Sequence, residues 1–267
     1  MQNQQVTKAI TAKDIISDNV KKRIAEVLPS VIDTNRFARI CAFELSKDEK
    51  LLACTATSII RSVMESARLG LEVGGVKGES YLVAYKDKQK GISTCQLIIG
   101  YKGMLTLLYR SGKVKDGCAH AVYKNDIFEF QYGTNKYLKH IPARGERGEI
   151  IAFYAFVSTI NGGEPFDVMW KNEVDAIMET SPDYKYKGQN SIWVKHYVAM
   201  GCKTVIRRLF KTLPLSNDIQ RAVAIDERAD SGEQNNVIDA DYEDVPEAES
   251  HAANEFTSRS EQLAEAL

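Results

Sequence analysis

The sequence predicts an α+β fold: a helical N-terminal region, a central and largely antiparallel β-sheet flanked by helices, and a disordered acidic C-terminal tail. Three observations carry this. Apolar residues recur at helical spacing as far as Leu69. From Ser80 the period shortens to strand-like alternation, broken by turn residues. Helical spacing returns from Lys171 and gives way near Asp226 to acidic sequence poor in apolar residues.

Each element follows from period and breakers. Residues 1–16 read as a flexible N-terminus. Ser17 is placed to cap a first helix, with Val20, Ile24, Val27 and Leu28 on one side and Pro29 as its stop. Thr34 is placed to cap a second, with Phe37, Ile40, Cys41 and Leu45 inward. A third runs from about Thr57 to Leu69, with Gly70 as its C-terminal cap. The stretches 80–86 and 93–100 read as two strands of a hairpin joined by a lysine-rich polar loop. A helix over about 104–111 ends at Gly112. Strand patterns follow at about 114–124, 127–132, 136–141, 149–160 and 164–169, with Asn125-Asp126 and Asn161-Gly162-Gly163 as turns. A helix over 171–179 leads into a polar loop, 181–190, then a long helix over 192–211 and a last one over 216–225. The folded core is therefore expected over 17–225, with a partner-interaction tail over 226–267.

Composition narrows the class. At 267 residues with 44% hydrophobic content, the chain is long enough to bury a sizeable core. No apolar run approaches the roughly 18 residues of a membrane span, and the N-terminus lacks the apolar middle of a signal peptide. The five cysteines have no CxxC spacing, and the four histidines are scattered, so neither a disulfide framework nor a zinc site is suggested. The net charge of −1 hides an asymmetry: 33 basic and 23 acidic residues precede Asp226, whereas 13 acidic and 2 basic residues follow from it. A body at +10 suits a nucleic-acid binder, and a tail at −11 with few aromatics does not fold alone.

The residues over 200–214 carry the sharpest signal. Lys203, Arg207 and Lys211 fall at i, i+4 and i+8 on one helix face, Val205, Ile206, Leu209 and Phe210 form the apolar side, and Arg208 lies at the border. Like charges at this spacing repel unless an anion neutralises them, so the row points to a polyanion; a solvated helix face is the bland alternative. In the hairpin loop, Lys86, Lys88 and Lys90 sit near Tyr81 and Tyr85, either as phosphate contacts or as an ordinary soluble loop tip. Gly100 and Gly103 bracket Tyr101 and Lys102 where strand gives way to helix, with Arg110 and Lys113 further on. Such glycines admit a phosphate to the helix N-terminus or serve a tight turn for geometry alone. The segment 182–193 interleaves Tyr184, Lys185, Tyr186, Lys187 and Trp193, followed by Lys195, as a non-specific single-strand binder requires. Trp193 also keeps helical spacing with Tyr197 and Met200, which reads equally as core.

There is no GxxxxGK[ST] sequence, so no phosphate loop for ATP is expected. The segment 182–185 superficially resembles a PD-(D/E)xK nuclease signature, but the separated pieces of that motif are fused here in one loop. No cofactor is expected, a divalent cation at most modulating DNA binding.

Several stretches together resemble the RecT family of phage and prophage single-strand annealing proteins. They are MESARLGLEVG (64–74), GESYLVAYK (78–86), CQLIIGYKGMLTLLYRSGKV (95–114), the set DIFEFQYG, HIP, IAFYAF and FDVMW within 126–170, and KTVIRRLFKTLP followed by SNDIQRAVAIDE. The resemblance spans about residues 20–228, with the motifs in the family's order. Ala199 and Cys202 are neutral where relatives often carry an acidic and a basic residue. The resemblance implies ATP-independent annealing of complementary strands by a ring or helical homo-oligomer. It further implies a cognate 5′→3′ exonuclease and the host single-strand-binding protein as partners, in a bacterial host's cytoplasm. It favours Lys102, Arg110, Lys203, Arg207, Arg208 and Lys211 for phosphate contact, with Lys86, Lys113 and Lys195 in support and Tyr101 and Trp193 for stacking. An oligomeric basic protein binding RNA or an acidic partner is the main alternative, and a metal-dependent nuclease a lesser one.

Overall fold

The computed structural model describes residues 12–86, 92–214 and 216–231. Residues 1–11, the lysine loop 87–91 with Lys88 and Lys90, and 232–267 lie outside the described residues. The chain opens with α1 (Ala12–Ile15), α2 (Asp18–Val27), α3 (Thr34–Ser46), α4 (Glu49–Leu52) and α5 (Ala56–Leu69). Ala12, Ile15 and Ile16 are buried, so the core begins before the predicted position 17. The Ser17 hydroxyl accepts from the Val20 amide at 3.5 Å, capping α2 as predicted. For α3 the cap is Asp33, one residue before the expected Thr34; its carboxylate accepts from the Arg36 amide at 2.7 Å. Gly70 ends α5 at φ 61°, the left-handed conformation that glycine adopts without steric penalty.

The strands follow: β1 (Ser80–Lys86), β2 (Ser93–Ile99), then after α6 (Tyr101–Arg110) come β3 (Val114–Tyr123), β4 (Ile127–Gln131), β5 (Tyr137–Ile141), β6 (Ile150–Thr159) and β7 (Phe166–Trp170). All their ladders are antiparallel, but they form three sheets: β1-β2, β3-β6-β7 and β4-β5. The final part is α7 (Lys171–Thr180), α8 (Pro182–Lys187), a 3-10 turn over Gly188–Asn190, α9 (Ile192–Lys195), α10 (Tyr197–Phe210) and α11 (Asn217–Ser231). The predicted polar loop is thus mostly helical, because Ser181 caps α8 and Pro182 opens it. The predicted long helix is broken at His196, where φ −132° and ψ 41° leave the helical range. The last helix runs to Ser231, past the tail boundary expected after Ile225.

Packing explains the period change. Both α5 and α11 pack on β2, α6 packs on β3, α10 and α11, and α10 lies across β3, β6 and β7. In β6, successive side chains take opposite faces. Phe153 meets α10, while Tyr154 joins Val122, Phe166 and Val168 in a cluster with Phe128, Phe130 and Leu138 of the β4-β5 hairpin. Gly201 of α10 is what lets Phe153 in: a Cβ there would lie 2.4 Å from the ring. Gly201→Ala gains about 0.8–1 kcal/mol of helix propensity and loses about 1–3 kcal/mol to overpacking. Net destabilisation is expected, read as a lower urea midpoint at unchanged slope.

The hairpin is tied down by one carboxylate. Asp126, with no exposed side-chain surface, accepts from the amides of Tyr123 and Ala143, each at 2.9 Å. It is also 2.7 Å from Arg147 Nη2 and 3.0 Å from His140 Nε2. The other ring nitrogen of His140 lies 3.3 Å from the Tyr154 hydroxyl. Arg147, outweighing the effect of burial and helped by Ala143, His140 and Tyr123, holds the Asp126 carboxyl well below the usual carboxylate range.

Candidate nucleic-acid interface

Lys203 and Arg207 of the α10 basic row do not face solvent, whereas Lys211, just past the helix end, does. The anion that the row calls for comes from the same chain, as a matching acidic row on α11. Lys203 Nζ lies 2.6 Å from Asp226 Oδ1 and 3.7 Å from Asp230 Oδ1. Arg207 Nη1 lies 3.1 Å from Asp226 Oδ2 and also pairs with Asp230. Lys211 pairs with Glu227 at 2.5 Å. The side chains of Lys203 and Arg207 are only 5% and 12% exposed, and that of Asp226 is wholly buried. Burial pushes the Asp226 carboxyl up, against the pull of Lys203 and Arg207. For Arg207 burial is outweighed, and Asp230 and Asp226 hold its proton more firmly than usual. Assigning Lys203 and Arg207 to phosphate contact is therefore corrected, because their face joins two helices; Lys211 stays exposed, engaged only by a surface pair with Glu227.

Three further candidates are also engaged internally. Arg208 grips Asp167 with two bonds of 2.6 and 2.8 Å, Glu173 at 2.9 Å and the Val168 carbonyl at 2.6 Å, fastening α10 to β7 and α7. Arg110 donates to the carbonyls of Leu69 and Gly70 at 2.7 and 3.0 Å, placing a cation on the negative end of α5. Trp193 is 2% exposed, so the core reading of its helical spacing holds and it offers no open face to a base.

The glycines before α6 also serve the fold. A Cβ on Gly100 would lie 2.4 Å from the Gly78 carbonyl oxygen, and one on Gly103 2.2 Å from that of Glu79. The close approach they permit is to the chain's own backbone. It leaves Lys102 exposed on the first turn of α6, beside the partly buried Tyr101.

Four nominated cations remain exposed with no hydrogen bond or ion pair among the described residues: Lys86 at the end of β1, Lys102, Lys113 just before β3, and Lys195 at the end of α9. Lys185 of the aromatic–basic segment shares this condition, as does Lys115, which the sequence does not single out. Lys115 sits in a strand pattern, where alternation signals packing and not ligand contact; Lys185 lay inside the aromatic–basic segment that did signal binding. The fold packs that segment, as α8, against α11, which itself packs on β2. The Tyr85 phenol is pushed up by burial and by the carboxylates of Asp183, Asp230 and Asp226. Beside α8 a cavity of about 680 Å³ opens, walled by Ile177, Pro182 and Trp193, with Arg207 and Asp230 on one side and Lys185 and Tyr186 on another. Tyr186 is 78% exposed.

Asp183, the acidic residue of the nuclease-like segment, is taken by Lys187 and by the Ile192 amide, both at 2.7 Å. Among the described residues, no group of three or more His, Cys, Asp or Glu side chains is placed to hold a metal ion. No helix among them is long and apolar enough to cross a membrane.

The model of the RecT family matches residues 35–240. Protein RecT of Escherichia coli (strain K12) is 35% identical over 233 residues, covering 85% of each chain. On these two matches the chain belongs to the RecT family, whose members are single-strand annealing proteins of DNA recombination.

Proposed function

We propose that this protein binds single-stranded DNA and anneals complementary strands without nucleotide hydrolysis, as a homo-oligomer. Family membership supports the class of activity. The observation that carries the reading to this chain is that the nominated lysines Lys86, Lys102, Lys113 and Lys195 are exposed without partners among the described residues, as are Lys115 and Lys185. Lysines on phosphates release counterions and screen the repulsion between two strands. Loose stacking leaves base edges free to pair. Repetition of the site around an oligomer supplies avidity in place of tight binding per subunit. Pairing itself drives the reaction, so no ATP is required. A 5′→3′ exonuclease would supply the single strands, and the host single-strand-binding protein would be displaced from them.

The test is ATP-free annealing of two complementary fluorescent oligonucleotides, with the Lys86→Ala/Lys102→Ala/Lys113→Ala variant beside the unaltered protein. The unaltered protein is expected to accelerate pairing of complementary strands only. Each single-strand phosphate contact contributes roughly 0.7 to the slope of log K against log salt, so the triple variant is expected to lose roughly 2 from that slope. Acceleration with an unchanged slope would move the DNA path elsewhere. No acceleration would favour a basic interaction protein that binds RNA or an acidic partner.

A further inference from the structure

We infer that the cavity between α7, α8, α10 and α11 receives one unstacked nucleobase of the bound strand. The inference rests on the single-strand-binding reading above and concerns a place where that reading assigned only Lys185.

The chemistry of the cavity selects a base over a phosphate. Behind it stand two cations, Lys203 and Arg207, and two carboxylates, Asp226 and Asp230, paired with each other. Such a balanced cluster has no net charge to attract a phosphate, and Asp230 would repel one. What it offers is hydrogen-bonding geometry. Arg207 uses Nη1 for both carboxylates, and its Nε and Nη2 donors have no partner among the described residues. Beside them Asp230, a quarter exposed, presents carboxylate oxygens. Donors next to acceptors match the mixed donor–acceptor edge of a nucleobase. Ile177 and Pro182 supply apolar wall, and Tyr186 supplies an exposed ring for stacking. The volume of about 680 Å³ lies within the roughly 300–1,000 Å³ of small-ligand sites, so a nucleotide fits. Lys185, exposed in the cavity wall, is then placed for a flanking phosphate. One held base per protomer would fix the strand's register while its neighbours stay free to pair.

The experiment compares full-length protein with Tyr186→Ala on two fluorescent strands of equal length, oligothymidylate and its abasic counterpart with the same phosphates. Stacking on an aromatic side chain is worth roughly 1–3 kcal/mol per base, or roughly 5- to 150-fold in affinity. The unaltered protein is expected to prefer the base-bearing strand. Tyr186→Ala is expected to lose at least about fivefold of that preference, with unchanged affinity for the abasic strand and an unchanged thermal midpoint. An undiminished preference in Tyr186→Ala would overturn the base pocket and leave single-strand binding standing. Failure of the unaltered protein to bind either strand would overturn both.

Discussion

Asp226→Ala is expected to lower the stability of this protein by about 3–5 kcal/mol, the cost of leaving buried cations without their counter-charge. Asp226 is wholly buried and serves three groups together: Lys203 and Arg207 of α10, and the Ile99 amide at the end of β2, which donates to it at 3.3 Å. Removing the carboxylate leaves Lys203 with Asp230 at 3.7 Å as its remaining partner. Since whole domains have stabilities of only about 5–15 kcal/mol, the variant should be marginal at 37 °C. Urea unfolding followed through the two tryptophans would measure it. The companion double variant Lys203→Met/Asp226→Leu is expected to recover most of the loss, because a buried pair exchanged for apolar groups of similar volume is often neutral or better. A loss under about 1 kcal/mol for Asp226→Ala would show that this carboxylate is not the neutralising partner.

Asp126→Ala comes next, with an expected loss of about 2–3 kcal/mol at pH 7, because charge-assisted hydrogen bonds to Arg147, His140 and two amides vanish together. Arg147 is about one-third exposed and regains water, which keeps the figure below that for Asp226. The same site predicts a pH dependence. The folded carboxyl titrates below its unfolded value of about 3.9. Its contribution is therefore full above that pH and is lost as pH falls toward the folded value. Stability measured from pH 6 down to pH 2.5 should fall less steeply in Asp126→Asn than in the unaltered chain. Parallel curves would refute the role given to this residue.

Local signals were legible where local chemistry decides. The caps at Ser17 and Gly70, the face of α5 and the β1-β2 hairpin all follow from spacing and breakers. The α8 helix was missed because its tyrosines and lysines resemble a binding loop, although Ser181-Pro182 is a helix start. The site was harder, because the same charge pattern suits an external polyanion or an internal helix. Asp226, Glu227 and Asp230 counted as the beginning of an acidic tail, yet they are the counter-row of α10. Similarly, Gly100 and Gly103 announce a close approach without naming what approaches. Exposed lysines such as Lys102 and Lys113 carry no periodic signature, and only the fold shows that they lack partners.

The docking of α11 on β2 has a consequence for the order in which the chain acquires its shape. The bond from Ile99 to Asp226 spans 127 residues, and the bidentate pair of Arg221 with Glu65 spans 156. At the roughly 5–20 residues per second of synthesis, the nascent hairpin waits on the order of ten seconds for the helix that covers it. Until then its apolar face is open to chaperones and to the same face of neighbouring nascent chains. Closing such distant contacts makes folding slow relative to a helical bundle of equal length. Among the described residues α11 is the last helix to leave the ribosome and thus completes a core begun near Ala12, and a chain released before Ser231 would present that face permanently.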